Sequence, residues 1–224
     1  MDRRRSRPAA TGRSTLESPT PGPRRRLVAG ARTGSGAPGH GPPERRPIAL
    51  SGTPGTGKTS VAARLPPSLS PVEVGEWAVA VGAGRRSRGG VTVDLPLLGH
   101  RFAAFHRRDP HMVYVGHLAH LLPIPDVVVL RCHPIELGRR LDAAGRGEPA
   151  ERAENVAAEA LDVILLESLA LGRRVWEVDT TGRSPDSVAR TVLRRATHGG
   201  APRYGRTRWL GDPAVTAHLL ERTP

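Results

Sequence analysis

Residues 52–59 have the sequence GTPGTGKT, which matches the phosphate-binding pattern G-x-x-x-x-G-K-[ST] at every fixed position. The apolar triplet at 48–50 precedes this stretch and predicts a buried strand. Residues 60–65, SVAARL, follow it and predict a helix that ends before Pro66 and Pro67. A strand, a glycine-rich turn and a helix start form the context in which this pattern folds as a P-loop, the name used below for residues 52–59.

The residue types of the P-loop explain what it can bind. Its glycines let the backbone curl with several N–H groups pointing inward, and the positive end of the following helix points to the same place. Lys58 offers a compact charge to the β- and γ-phosphates of a nucleotide, and Thr59 offers a hydroxyl to Mg²⁺. Lys58 is the only lysine in a chain rich in arginine, which indicates that a bulkier guanidinium would not serve there.

Composition limits the class of protein. The 224 residues allow one domain or one domain with a tail, and no apolar run approaches the roughly 20 residues of a membrane span. A single cysteine, Cys132, excludes an internal disulfide framework and a cysteine-based zinc site, and it favours a reducing cytoplasm. The arginines near the start are not followed by the apolar segment of a secretory signal.

Residues 1–46 differ in composition from the rest of the chain. They contain eleven arginines against three acidic residues, and thus +8 of the total formal charge of +13. They have too few large apolar residues to offset chain entropy, so we expect a disordered basic tail and a folded domain that starts near Pro47. Two interpretations stay open: an arm that binds RNA or another polyanion, and an extension without function, including a start codon assigned too early.

The remaining sequence alternates short apolar strands with helices. This order predicts an α/β fold with a parallel sheet covered on both faces, with ligands at the carboxyl ends of the strands. A small irregular region is expected to begin at 72–77. The predicted strands are 48–50, 91–94, 112–115, 126–132 and 174–178, and the predicted helices are 95–107, one opening at 133–137, 150–170 and 184–197.

Several polar residues fall at or near the predicted strand ends. Asp94 could orient Mg²⁺-bound water or the ribose of a nucleotide, or it could cap the next helix. Arg131 could face phosphate or form a structural salt bridge. His117 is expected to contact phosphate or water, whereas His120 is expected at the surface or in lid packing.

The long helix predicted at 150–170 carries Glu154, Glu159 and Asp162. Its amphipathic pattern favours a solvated face for these three side chains.

The chain resembles the archaeal and eukaryotic adenylate kinase isoenzyme 6 type family over about residues 47–210. The segments that carry this resemblance are GTPGTGKT, TVDLPLL, GHLAHLLP, VVVLRCHP, ENVAAEALDVILLE and EVDTTGRSP. The resemblance implies a P-loop NTPase fold with a five-stranded parallel sheet, helices on both faces, a small NMP-binding region at about 73–97 and a short lid at about 143–152. Residues 211–224 would form a C-terminal extension.

The resemblance also implies an activity. It implies ATP- and Mg²⁺-dependent phosphoryl transfer to AMP, some ATPase activity, and a role in small ribosomal subunit maturation through a small-subunit ribosomal protein near rRNA. The alternative is a nucleotide-switched assembly factor with little or no kinase activity.

The P-loop pattern, the strand-end positions and the resemblance together give the candidate residues, although Arg146 does not match a family position residue for residue. The catalytic candidates are Lys58, His117 and Arg146, the substrate-binding candidates are Asp94 and Arg88, and Thr59 is the metal ligand. Residues 180–182 would line an adenine pocket. The nucleotide-binding candidates are Gly52, Gly55, Thr56, Gly57, Lys58, Thr59 and Ser60.

Three positions depart from the family pattern. Val115 stands where members commonly carry an acid that helps hold the water shell of the metal. Ala144 stands where the lid usually has an arginine, and Arg208 precedes Trp209 where the family has an aspartate. These departures predict weakened kinase activity with nucleotide binding kept.

Overall fold

The structure is a computed structural model that describes residues 46–87, 90–108, 111–145 and 147–222. The expected tail therefore lies outside the described residues, apart from Arg46. The strands are β1 (Ile48–Ser51), β2 (Pro71–Glu73), β3 (Gly84–Ser87), β4 (Gly90–Val93), β5 (Val113–Val115), β6 (Asp126–Arg131) and β7 (Arg174–Asp179). The α-helices are α1 (Lys58–Ala62), α2 (Val74–Ala80), α3 (Leu95–Phe105), α4 (Pro134–Ala144), α5 (Pro149–Ala160), α6 (Val163–Ala170), α7 (Pro185–His198) and α8 (Pro213–Arg222).

Five strands form one parallel sheet in the order β2-β5-β1-β6-β7. The predicted α/β fold with a five-stranded parallel sheet is thus confirmed. One of its two edge strands is β2, so the prediction of an irregular region beginning at residue 72 is wrong for residues 72 and 73. The strand predicted at 91–94 is instead half of an antiparallel hairpin, β3–β4, outside this sheet.

Alternate residues of the central strands face opposite sides of the sheet. On one side, Ala49, Val127 and Val129 belong to a cluster that includes Trp77 and Tyr114, whose ring centroids are 5.4 Å apart. On the other side, strand residues pack with apolar residues of α1 and α7. Since both faces are covered, the strands can be apolar along their whole length, and polar function is displaced to their ends.

The helix predicted at 150–170 is two helices, because Asp162 adopts a left-handed conformation with φ of 57° between α5 and α6. Residues 213–222 form α8, which contacts α4 and α5. Val215 of this helix is fully buried, and Arg222 forms an ion pair with Asp142 of α4. The C-terminal segment is therefore packed on the helices that follow β6.

Candidate nucleotide-binding site

The P-loop connects β1 to α1 and has a backbone that requires glycine at two close approaches. A Cβ atom added at Gly52, where φ is 145°, would lie 2.5 Å from the carbonyl oxygen of Leu130. A Cβ atom at Gly55, where φ is 91°, would lie 2.7 Å from Cδ1 of Leu137. The loop thus packs against the end of β6 and against α4 with no room for a side chain.

Lys58 begins α1 and folds back over the loop. Its ammonium donates hydrogen bonds to the carbonyl oxygens of Gly52 at 2.7 Å and Thr53 at 3.0 Å. Burial lowers the pKa of Lys58 from 10.5 to about 8, and the carboxylates of Glu159 and Glu73 oppose that shift. The positive charge is therefore held against the loop by backbone contacts rather than by a direct ion pair.

A cavity of about 420 Å³ opens beside the P-loop at the carboxyl ends of the strands. This volume lies in the range of small-molecule sites, which is roughly 300–1,000 Å³. Six of the residues predicted from the sequence line it together: Gly55, Gly57, Lys58, Thr59, Ser60 and His117. Their proximity agrees with the predicted placement, and their individual roles stay predictions.

Two further predicted residues support the loop from below. The carbonyl of Gly52 accepts from Lys58, and Thr56 is fully buried with its hydroxyl donating to the carbonyl of Thr53 at 2.8 Å. These residues give the P-loop its shape and do not line the cavity.

His117 follows β5 and faces the same cavity. Burial lowers its pKa below the ordinary value of 6.5, the positive charge of Lys58 lowers it further, and the Glu73 carboxylate opposes the shift. The imidazole is therefore neutral at pH 7 and can accept a hydrogen bond at one nitrogen while donating at the other.

Glu159 of α5 lies beneath the P-loop and contacts it through Thr53. One oxygen accepts a 2.6 Å hydrogen bond from the Thr53 hydroxyl, and the other accepts from Nε of Arg131 at 2.8 Å and from the backbone N–H of Cys132 at 3.0 Å. Its side chain is 2% exposed, so the predicted solvated face is wrong for this residue. The reason is a partner 28 residues away, which the local helical pattern cannot reveal.

Arg131 is buried next to Glu159. Its guanidinium also donates to Glu177 at 2.7 Å, to the carbonyl of Glu159 at 3.1 Å, and to Asp162. Of the two interpretations that the sequence left open, the structure shows the salt bridge, and Arg131 does not line the cavity.

The segment that precedes α8 is joined to the same network. The backbone N–H of Arg206 donates to Glu177 at 2.9 Å, and the ring of Trp209 lies 6.0 Å from the guanidinium carbon of Arg131. The backbone of Arg203 pairs with β7 through the N–H of Glu177 at 2.8 Å and the carbonyl of Val175 at 2.9 Å. Residues 203–209 therefore cover the side of the network that faces away from the P-loop.

His120 is also placed differently from the prediction. It is 2% exposed, with Nδ1 3.0 Å from the Ser51 hydroxyl and Nε2 2.8 Å from a carboxylate oxygen of Glu167. The surface or lid position is wrong because a short 3₁₀ turn at Ala119–Leu121 carries the ring under the end of β1.

Asp94 lies away from the P-loop cavity. It caps α3, since its carboxylate accepts from the backbone N–H of Leu97 at 2.9 Å. The expectation that it ends a strand of the parallel sheet is wrong, because β4 belongs to the separate hairpin. Asp94 lines a different cavity, of about 280 Å³, together with Arg85 and Thr92 of that hairpin. Its role in substrate binding stays a prediction.

Two candidates, Arg88 and Arg146, lie outside the described residues, and their roles stay predictions. In the described lid side of the cavity, Arg140 is the arginine that lines the wall. It forms an ion pair with Glu136 at 3.1 Å and donates to the carbonyl of Thr180 at 3.2 Å, and Thr180 is the first residue of the segment expected to line an adenine pocket.

Sequence reasoning missed several residues of the cavity. Glu73, Glu151 and Asn155 supply polar side chains to its walls. The available signal for Glu73 was the sequence VEV, in which a branched residue stands on each side of the acid, as is typical of a strand. The strand is only three residues long, which makes this signal weak. In the described parts of the chain, no group of three or more His, Cys, Asp and Glu side chains could hold a metal ion without other ligands.

A parallel sheet, a glycine-rich turn between its central strand and the first helix, and a lysine at the start of that helix define this class of protein. It is an α/β P-loop protein with a cavity suited to nucleotide phosphates. Among the described residues, no helix combines the length and the apolar character of a membrane span.

Comparison with known proteins assigns the family. No family model matches the chain. The chain is 40% identical over 164 residues to "Putative adenylate kinase" of Thermococcus onnurineus (strain NA1), covering 72% of this chain and 90% of that protein. Proteins of the same name match at 38% identity in Pyrococcus abyssi, with 72% and 90% coverage, and at 41% in Natronomonas pharaonis, with 65% and 86% coverage. The chain belongs to this archaeal adenylate kinase family.

Solved structures add little to this assignment. A shikimate kinase from Bacteroides thetaiotaomicron matches at 18% identity with a TM-score of 0.36, covering 67% of this chain and 96% of that one.

Proposed function

We propose that this protein is an adenylate kinase, which transfers the γ-phosphoryl group of ATP to AMP and forms two ADP. The observation that carries the proposal is the cavity in which the P-loop, Lys58 and His117 meet at the carboxyl ends of the strands. The family name of its relatives gives the acceptor class. Phosphoryl transfer requires positioning and charge stabilisation rather than covalent catalysis, and this site offers both.

The roles of the chain's own groups follow from their places. The inward N–H groups of the P-loop and the start of α1 bind the β- and γ-phosphates. Lys58 loses its contacts to the carbonyls of Gly52 and Thr53 and follows the γ-phosphoryl group as negative charge moves to the leaving oxygen. Arg140 also lines the cavity, and its guanidinium would neutralise phosphate charge there.

The cavity also has donors that fit Mg²⁺. Thr59 carries a hydroxyl and Glu73 a carboxylate on its wall, and oxygen ligands of this kind are those that Mg²⁺ takes, usually with several retained waters. Thr59 would hold the ion, which when bound would supply positive charge that neutralises the phosphate oxygens.

The test is an acceptor screen with purified protein. ADP formation from ATP is measured with AMP, CMP, UMP or no acceptor in the presence of Mg²⁺. We expect AMP to raise ADP production well above the rate without acceptor, and Lys58→Ala to lose that increase because the phosphate charge loses the cation held against the P-loop. If no acceptor raises the rate, the kinase proposal is lost.

A second function is favoured by two residues on the cavity wall. Val115 and Ala144 replace the acid and the lid arginine that the resemblance implies, and both line the cavity. These substitutions weaken phosphoryl transfer more than nucleotide binding, which favours an assembly factor that is switched by ATP. Under this alternative the partner would be a small-subunit ribosomal protein near rRNA. Recovery of that partner in a pull-down should then depend on ATP, and equal recovery with and without ATP would argue against a switch.

A further inference from the structure

The edge of the sheet contributes the Glu73 carboxylate to the wall of the P-loop cavity. Glu73 is the last residue of β2, and in the sheet register it pairs with Val115, the last residue of β5. Glu73, Val115 and Thr59 line both the P-loop cavity and a smaller neighbouring cavity. The resemblance implies an acid at position 115 of β5, where this chain has valine. Glu73 supplies a carboxylate on the neighbouring strand, at the position paired with Val115.

The two oxygens of Glu73 have different surroundings. Oε2 accepts hydrogen bonds from the backbone N–H groups of Gly75 at 2.7 Å and Glu76 at 3.2 Å, which fixes the carboxylate at the start of α2. Oε1 lies 3.1 Å from the position that a Cβ atom of Gly116 would occupy. Because residue 116 has no side chain, this oxygen is directed over the turn that leads to His117.

The charge of Glu73 acts on the P-loop residues. The carboxylate raises the pKa of Lys58 and that of His117, and it thus opposes the lowering that burial causes in both groups. Among the described residues that line the cavity, the only other carboxylate is that of Glu151, which belongs to α5 on the lid side. Glu73 is therefore the carboxylate that shares a wall with Thr59.

We propose that Glu73 holds the water shell of the Mg²⁺ ion that accompanies the nucleotide, in place of the acid absent at Val115. Mg²⁺ in nucleotide sites keeps several waters and is held through one or two carboxylates together with substrate phosphates. A carboxylate on the cavity wall that is anchored through one oxygen, with the other over the turn to His117, suits that arrangement. The inference rests on the proposed function only in requiring that Mg²⁺ and nucleotide bind together at the P-loop.

The test measures binding rather than turnover. Affinity for a non-hydrolysable ATP analogue is determined by calorimetry with MgCl₂ and with EDTA, and the ratio of the two affinities gives the Mg²⁺ enhancement. Glu73→Gln keeps the size of the side chain and an oxygen that can cap α2, but it removes the charge. We expect this variant to lose about tenfold or more of the enhancement, which is typical when a group that supports a metal is removed. Because the enhancement is a ratio, any change that the variant causes in binding without Mg²⁺, for example through the pKa of Lys58, is divided out.

Three further variants make the result specific. Glu151→Gln, at the other carboxylate of the cavity, should keep the enhancement. Val115→Asp added to Glu73→Gln should restore it, because an acid then returns to the neighbouring strand. If Glu73→Gln fails to fold, Glu73→Asp replaces it, since aspartate is a good helix cap but withdraws the carboxylate by one methylene. It should lose part of the enhancement.

The outcomes separate this inference from the proposed function. An unchanged enhancement in both Glu73 variants, or its loss in Glu151→Gln alone, would overturn the role of Glu73 while leaving a P-loop nucleotide site. No nucleotide binding by the wild-type protein under either condition would overturn both. Intact Mg²⁺-dependent binding without kinase activity would remove the kinase proposal and leave the role of Glu73 in place.

Discussion

The P-loop side of the molecule and the β3–β4 hairpin are held together in opposite ways. Beneath the P-loop, Glu159 and Arg131 are almost fully buried and connect α5, β6 and β7 through side-chain hydrogen bonds. On the hairpin, the ion pair of Arg86 with Glu76 is more than half exposed on the arginine side. The P-loop half is therefore supported by buried ion pairs, whereas the described residues of the half next to Asp94 show few buried contacts of this kind.

The largest expected effect tests this difference in stability. Glu159→Ala removes a buried partner of Arg131 and the acceptor of Thr53, and we expect the free energy of unfolding to fall by about 3–5 kcal/mol because the guanidinium is left partly uncompensated. Glu76→Ala breaks the exposed pair of the hairpin and should cost less than about 1 kcal/mol. Denaturant unfolding of both variants measures the two values. If both variants lost the same free energy of unfolding, the buried network would not stabilise the protein more than the exposed ion pair does.

The second effect concerns the charge of Lys58. Its pKa of about 8 means that the ammonium form, which phosphate binding requires, is lost from the free protein as pH rises through 8. We expect ATP affinity to weaken roughly tenfold between pH 7 and pH 9, with proton uptake on binding. Calorimetry in buffers of different ionisation enthalpy measures both quantities. The free energy of unfolding changes with pH in the opposite direction. Burial of the ammonium lowers it below pH 8, and this cost is lost between pH 8 and pH 10.5, so Lys58 makes the protein more stable as pH rises.

Lys58→Arg is the matched control, since arginine keeps its charge throughout this range. It should bind ATP more weakly than the wild type but without the change between pH 7 and pH 9. A wild-type affinity that is constant over the same range would show that Lys58 does not titrate there.

The smallest effect belongs to the hairpin side. Asp94→Ala removes the cap of α3 and should lower the free energy of unfolding by about 1 kcal/mol, as should Ser184→Ala at the cap of α7. If Asp94 also binds the acceptor, only Asp94→Ala should raise KM for AMP, while KM for ATP stays the same in both. Identical KM values for AMP in the two variants would leave Asp94 with its capping role alone.

The same contrast explains what the sequence could predict. The P-loop was predictable because its strand, turn and helix start lie within 18 consecutive residues, 48–65, each part with a local pattern. β2 was missed because its place in the sheet depends on pairing with β5, some 40 residues later, rather than on its own three residues. Glu159 looked like a surface residue because helical spacing does not show that Thr53 and Arg131 come from other strand ends.

The contacts of residues 203–209 have a consequence for how the site is made during translation. The P-loop leaves the ribosome early, but the network under it includes Glu177, whose carboxylate is capped by the N–H of Arg206 and by the Thr207 hydroxyl. Arg131 is likewise covered by Trp209. Because synthesis proceeds from the N-terminus, the network beneath the P-loop gains these contacts only after residues 203–209 have been synthesised. A nascent chain that lacks residues 203–209 would contain the P-loop but not the contacts of that segment with Glu177 and Arg131.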